Sequence, residues 1–300
     1  MSKVQGHHSE SQQSSRSLTV NRMLALRRFL INKQFARNYA SGKKLLEITQ
    51  DEKTGVQIIS MAKPPANTLN LEFLEELKTA LVDAQKSNYK GIVLTSSLPT
   101  IFSGGLDIME MYKPDLERFT AFWRTLQDTW MILYGLEMPT AAAINGASPA
   151  GGCLLAISCE YRAFVNGKHT IGLNEAQLGI IPPQWFIDPY VAILGDKRAE
   201  IALMKGTLFH PNEALNIGLV DELVSDKAEV IQQCLKYISS YDNISKFARN
   251  KIKLKLREKS ISWLQKHREI ELNEIKQFIL LPVVQKGLES YVEALKKKKN

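Results

Sequence analysis

Short apolar runs and longer amphipathic stretches alternate through the first two thirds of this chain. Five short runs, at residues 45–49, 56–61, 91–95, 140–144 and 161–165, predict buried strands. Apolar residues at helical spacing predict helices over 70–85, 116–134 and 150–159, the first with Asn70 as N-cap. Strands that alternate with helices predict an α/β fold with parallel strand pairs.

After residue 182 the pattern becomes helical. Apolar periodicity predicts a series of helices, the last of them long, at 185–194, 197–206, 211–217, 226–240, 243–258, 260–281 and 282–297. Long terminal helices on an α/β core favour packing against a neighbouring subunit.

The net charge of +8 is concentrated at the N-terminus. Seven basic residues and one acid fall within residues 1–40, which leaves about +2 for the rest of the chain. This distribution argues against nucleic-acid binding. A segment rich in Ser and Arg and poor in acids is typical of a transit peptide, so residues 1–39 are predicted to be a mitochondrial targeting segment. The alternative is a disordered basic tail.

Cysteine and histidine spacing indicates neither disulfides nor a metal site. The three cysteines form no C-x-x-C pair, and the five histidines lack metal-ligand spacing. The uncharged run 139–159 is long enough to cross a bilayer, but it contains Asn145, Gly146, Ser148 and Pro149. These residues favour a buried strand, a turn and a helix, so no stable membrane insertion is expected.

Two glycine-containing segments follow predicted strands. The segment FSGGLD (102–107) and the segment PAGGC (149–153) each place a glycine pair where backbone N–H groups can approach a ligand oxygen. The second segment opens a helix, whose first N–H groups lack internal partners and suit an oxyanion. Taken singly, the first segment is better explained as a tight turn and the second as close helix–sheet packing.

Glu175 is the single carboxylate of an otherwise uncharged run, IGLNEAQLGII (171–181). If its side chain is buried, its pKa rises above about 4.3 and it becomes a base for neutral pH. An exposed or ion-paired side chain is the alternative.

Four segments together resemble the enoyl-CoA hydratase/isomerase (crotonase) superfamily: FSGGLDIMEM, AINGASPAGGCLLAISCEYR, IGLNEAQLGI and GLVDELV. Within it they are most similar to the short-chain mitochondrial Δ3,Δ2-enoyl-CoA isomerases. The resemblance covers residues 44–297. It implies a crotonase-like spiral of β-β-α units at 42–240, followed by a C-terminal helical trimerisation region at 241–300, and a homotrimer.

The resemblance also assigns roles to residues. It makes Glu175 the catalytic base and gives the N–H groups of Gly104 and Gly151 the role of an oxyanion hole. It implies a substrate-binding set of Gly104, Gly105, Leu106, Asp107, Ile108, Gly151, Asn174 and Ala66. No metal and no cofactor are implied, since CoA arrives as part of the acyl-CoA substrate. Acyl-chain preference would depend on pocket depth and on side chains such as Trp123, Trp185 and Phe186.

The residue after Gly-Gly-Cys distinguishes two chemistries of this family. Hydratases carry a second glutamate there, whereas this chain has Leu154. Splitting water needs two acid/base groups, while moving a double bond needs one base that transfers a proton from C2 to C4. The sequence therefore predicts a matrix isomerase that converts cis- or trans-3-enoyl-CoA to trans-2-enoyl-CoA in β-oxidation of unsaturated fatty acids. The alternatives are another acyl-CoA activity such as hydration, or a non-catalytic RNA-binding or scaffold member.

Overall fold

The computed structural model describes residues 44–297. The predicted targeting segment, residues 1–39, lies outside them and stays a prediction. The predicted division into a core up to residue 240 and a terminal region from 241 also stays a prediction. Among the described helices, none has both the length and the apolar character needed to cross a membrane.

A six-stranded sheet forms the centre of the fold, in the order β1-β2-β3-β4-β6-β8. Only β1 and β2 pair antiparallel, across the turn between them; the other neighbours are parallel. The strands are β1 Leu46–Asp51, β2 Val56–Met61, β3 Ile92–Ser96, β4 Thr140–Ile144, β6 Tyr161–Val165 and β8 Glu222–Val224. Strands β3 and β4 are buried along their whole length, as expected of central parallel strands covered on both faces.

Two very short strands form a second, parallel pair. Strand β5 (Ser148–Pro149) lies beside β7 (Ile171–Gly172), with Ser148 opposite Ile171. This pair brings the segment around the Gly-Gly-Cys motif next to the segment that contains Glu175. The site described below depends on this contact.

Ten helices surround the sheets in the described part of the chain. They are α1 Leu71–Lys86, α2 Ile108–Met111, α3 Leu116–Gly135, α4 Gly151–Ser158, α5 Gln184–Leu194, α6 Asp196–Lys205, α7 Pro211–Asn216, α8 Lys227–Ser239, α9 Lys246–Ile279 and α10 Pro282–Lys297. The predicted cap of α1 is confirmed, because the side chain of Asn70 accepts a hydrogen bond from the N–H of Phe73 (3.2 Å).

The prediction of two helices at 243–258 and 260–281 is wrong, because one continuous helix, α9, spans both. No glycine or proline occurs between Lys246 and Ile279, so nothing in the backbone interrupts the helix. The sequence patterns also missed α2, β5, β7 and β8, which have two to four residues each. Such short elements leave no periodic signal.

Candidate active site

Glu175 is the first residue of a 3-10 turn, Glu175–Leu178, which follows β7. Its side chain is 5% exposed, and its Oε2 atom has no hydrogen-bond partner among the described residues. Burial raises the pKa of Glu175 to about 7, against a smaller opposing effect of its own backbone N–H. This carboxylate is therefore a proton acceptor suited to neutral pH.

Gly151 begins helix α4, and no side chain caps the helix there. The preceding residue, Ala150, has φ 49° and ψ −121°, a strained conformation for a residue with a Cβ. Its N–H donates to the carbonyl of Gly172 (2.8 Å), which fixes the turn beside β7. Within residues 44–297, the N–H of Gly151 has no acceptor. A free N–H at the positive end of a buried helix can stabilise a negatively charged oxygen.

The loop 102–107 lies against the start of α4. The N–H of Phe102 donates to the carbonyl of Ala147 (2.9 Å), and the carbonyl of Gly105 accepts from the N–H of Leu69 (2.9 Å). The N–H of Asp107 donates to the carbonyl of Leu69 (3.0 Å). These bonds hold the loop on both sides and leave its middle, around Leu106, facing the helix.

The N–H of Gly104 is already used inside the protein. It donates to the carbonyl of Ala66 at 2.8 Å, so it is not a free donor for a ligand. The prediction that Gly104 supplies the second oxyanion donor therefore does not agree with the geometry. Two residues further on, the N–H of Leu106 has no acceptor in the described part of the chain.

The free N–H groups of Leu106 and Gly151 are close neighbours. A Cβ added to Gly151 would lie 3.1 Å from the backbone nitrogen of Leu106, and a Cβ added to Gly105 would lie 3.0 Å from that of Gly151. Gly105 also has a φ of 85°, which residues with a Cβ rarely adopt. The close approach of the two segments thus favours glycine at both positions, most strongly at Gly105 because of its positive φ.

Two adjoining cavities meet at Glu175. The first has an empty volume of about 320 Å³, part of it open to solvent, and is lined mainly by apolar side chains, among them Trp123, Phe186 and Phe278. The second has an empty volume of about 450 Å³, also partly open to solvent, and is lined by Ala150, Asn174, Tyr291 and others. Leu106, Met111, Glu175 and Ile180 line both cavities. Among the described residues that line them, Glu175 is the only acid.

The other predicted substrate-binding residues divide into two groups. Gly104, Ile108 and Asn174 line the second cavity, and the side-chain oxygen of Asn174 has no partner among the described residues. Asp107 instead has structural contacts. Its carboxylate accepts from the N–H of Met109 at the start of α2 (3.1 Å), from Thr68 Oγ1 (2.9 Å) and from Lys63 Nζ (3.3 Å).

Several cavity residues were not identified from the sequence. They are apolar residues or lie on the terminal helices: Met111, Ile180, Ile275, Phe278, Ile279 and Tyr291. Their spacing is that of ordinary core positions, so no local pattern marks them. Leu154 is 1% exposed in α4 and belongs to the apolar core.

One buried carboxylate beside a pair of free backbone donors defines an enzyme site for moving a proton next to a carbonyl group. The chain matches the model of the enoyl-CoA hydratase/isomerase family over residues 51–299 and belongs to that family. The predicted family and the crotonase-like α/β fold are confirmed. Homotrimer formation stays a prediction.

Several relatives align with most of the chain. Enoyl-CoA delta isomerase 1, mitochondrial, from Rattus norvegicus is 40% identical over 266 residues, which are 88% of this chain and 91% of the relative. The Homo sapiens protein of that name is 38% identical, with 88% of this chain and 87% of the relative covered. The crystal structure of human mitochondrial Δ3-Δ2-enoyl-CoA isomerase has a TM-score of 0.83 and 37% identity, over 86% of this chain and 100% of that one. An enoyl-CoA hydratase from Bacillus halodurans, 21% identical with a TM-score of 0.73 over 82% of this chain and 100% of its own, shares the fold.

Proposed function

We propose that this protein is a Δ3,Δ2-enoyl-CoA isomerase, which converts cis- or trans-3-enoyl-CoA to trans-2-enoyl-CoA. The observation that carries the proposal is a buried carboxylate in the cavity wall, Glu175, whose Oε2 has no partner among the described residues. It lies where an apolar cavity meets a second cavity, and Leu106, one of the two residues with a free backbone N–H, lines both. The names of the mitochondrial relatives support the same activity.

In the proposed mechanism, the N–H groups of Leu106 and Gly151 donate to the thioester oxygen. Glu175 removes a proton from C2, and the C2–H electron pair forms the C1–C2 double bond of a dienolate. Its negative charge rests mainly on the oxygen between the two donors. Glu175 then returns the proton at C4, which leaves the double bond between C2 and C3. The acyl chain occupies the apolar cavity.

Two properties of the site favour isomerisation over hydration. Within the described residues, no second acid lines the cavities, so no second group is available to activate water. The buried Leu154 adds an apolar side chain where the hydratases of the family carry a glutamate. No observation favours hydration or an RNA-binding role. No metal or redox cofactor enters the proposed steps.

The direct test is conversion of 3-hexenoyl-CoA by the purified protein, followed by chromatography and mass spectrometry of the product. We expect an isomer of unchanged mass, with no 3-hydroxyacyl-CoA formed from 2-hexenoyl-CoA. Glu175→Gln removes the base and should lower kcat by a factor of about 10²–10⁴. The exposed Glu117→Gln should match the wild type. Full activity of Glu175→Gln would refute the role of Glu175, and hydration as the main reaction would refute the function.

The proposal extends to location and assembly. We expect residues 1–39 to direct import into the mitochondrial matrix, in keeping with the mitochondrial relatives. A homotrimer is supported by apolar residues exposed on α9, such as Phe247 and Leu256, at 73% and 79%. Import with loss of the segment, assayed in isolated mitochondria, tests the location. Light scattering coupled to gel filtration tests the trimer.

A further inference from the structure

A second buried carboxylate, Glu271 of α9, lies behind the apolar cavity. It is 6% exposed and accepts three hydrogen bonds from other helices. Its Oε2 accepts from Trp123 Nε1 (2.8 Å) and Gln127 Nε2 (2.5 Å) of α3, and its Oε1 accepts from Trp185 Nε1 of α5 (3.4 Å). One carboxylate thus joins three helices.

Glu271 forms no ion pair with a described residue. Burial raises its pKa, and the hydrogen bonds from Trp123, Gln127 and Trp185 oppose that effect. A buried carboxylate without a cation is costly, but an apolar residue here would leave the N–H groups of Trp123, Gln127 and Trp185 without this acceptor. Glu271 therefore fixes both indole rings at the cost of burying its charge.

One of the two indoles lines the apolar cavity, and the other packs behind it. Trp123 lines the cavity directly. The Trp185 ring packs edge-on against the Trp123 ring, with the ring centroids 6.2 Å apart. Phe186, a second lining residue, packs edge-on against Trp185 at 4.5 Å. On α9, Ile275 lies one turn after Glu271 on the same helix face and also lines the cavity. The bonds of Glu271 therefore hold α3, α5 and α9 together where they enclose the cavity.

We propose that Glu271 is a positioning residue that fixes the Trp123 and Trp185 rings and so determines which acyl-chain lengths the cavity accepts. The inference rests on the proposed function, because it takes the apolar cavity as the acyl site. With both N–H groups bound, the Trp123 ring is held in the cavity wall and the Trp185 ring is held against the Trp123 ring. Without the carboxylate, the Trp123 ring is free to turn towards the vacated space, and the cavity lengthens.

The test compares kcat/KM for 3-enoyl-CoA substrates of six, eight, ten and twelve carbons. For Glu271→Leu we expect the twelve-carbon to six-carbon ratio to rise about tenfold, mainly through KM of the longer substrates. Glu271→Gln presents an NH₂ group to one of the N–H donors and should give a smaller rise. Trp123→Phe removes one indole N–H and should shift the ratio in the same direction.

Glu269→Gln is the matched control. Glu269 lies on the same helix and also joins α9 to α3, through Arg124 (2.7 Å), but it is exposed on the surface. It should leave the ratio unchanged. The Kd values of hexanoyl-CoA and dodecanoyl-CoA, measured by calorimetry, provide a readout that does not depend on turnover.

Two results would overturn the inference: an unchanged ratio in both Glu271→Gln and Trp123→Phe, or a loss of equal size at every chain length. If Glu271→Leu does not fold, the chain-length ratios of these two milder variants test the inference. A wild-type protein that isomerises no 3-enoyl-CoA refutes the proposed function instead. In that case, unchanged relative Kd values in the variants would also refute the role of Glu271.

Discussion

Helix α4 has polar groups at its two ends that differ in their partners. At its first residue, Gly151, the N–H has no acceptor in residues 44–297, and Oε2 of the nearby Glu175 has no partner there either. At its last residue, Ser158, the carbonyl accepts from Arg257 (2.9 Å), which places a cation at the negative end of the helix dipole. One end stays available to a ligand, while the other is bonded within the protein.

The carboxylates at the two ends differ in the same way. Glu160, two residues past the end of α4, accepts hydrogen bonds from Arg249 (2.5 and 2.6 Å), from Lys253 (3.3 Å) and from the N–H of Thr140 (2.8 Å). Burial lowers the pKa of Lys253, and Glu160 opposes this effect. Among residues 44–297, no cation forms an ion pair with Glu175. The partnered carboxylate stabilises the fold, and the unpartnered one is free to accept a proton.

Of the changes that test this difference between the two carboxylates, neutralising Glu160 should have the largest effect, and the effect should fall on the free energy of unfolding. Glu160→Gln leaves Arg249 and Lys253 facing each other without a counter-charge, and it should lower the free energy of unfolding by roughly 3–5 kcal/mol. Urea unfolding measures the loss. The isomerase rate per folded molecule should not change. As a control, Glu200→Gln breaks the exposed pair with Lys197 and should cost less than about 1 kcal/mol. Equal losses in both variants would contradict the distinction.

The other end of α4 can be tested by removing single N–H groups. Replacing Leu106 by its α-hydroxy acid exchanges the amide N–H for an ester oxygen, and kcat should fall by a factor of about 10²–10³ because one donor to the oxyanion is lost. The same exchange at Gly104 removes only the bond to the carbonyl of Ala66. It should cost about 1 kcal/mol of stability and leave the rate within a few-fold. A larger rate loss at Gly104 than at Leu106 would restore Gly104 as the donor.

The Gly104 assignment shows where sequence reasoning reached its limit. The positions of the two loops followed from strand ends and glycines, whereas the apolar neighbours of Glu175 left open whether its side chain is buried, exposed or ion-paired. Which N–H of the 102–107 loop stays free depends on the carbonyl of Ala66, which lies in a distant segment. Strands β3 and β4 were predicted because each contains an apolar run of at least three residues. By contrast, β5 and β7 exist only because two distant segments pair, and no local pattern contains that information.

The burial of Glu175, with no ion pair to any described cation, also predicts an effect of pH on stability. Its pKa rises from 4.5 to about 7 on folding, so between these pH values the native state holds a proton that the unfolded state has lost. The contribution of the Glu175 carboxyl group to the free energy of unfolding is therefore fully present below pH 4.5 and is lost as pH rises through 7. A shift of this size corresponds to about 3 kcal/mol.

The side chain in the Glu175→Gln variant cannot titrate. As the pH rises from 4.5 to 8, the free energy of unfolding of the variant should therefore rise by about 3 kcal/mol relative to that of the wild type. Urea unfolding of both proteins at each pH measures this difference. In the wild type, kcat/KM should fall about tenfold per pH unit below pH 7, because the proton that stabilises the fold blocks the base. A stability difference that does not depend on pH would mean that Glu175 is ionised normally in the folded protein. The missing counter-charge would then have no part in making it a base.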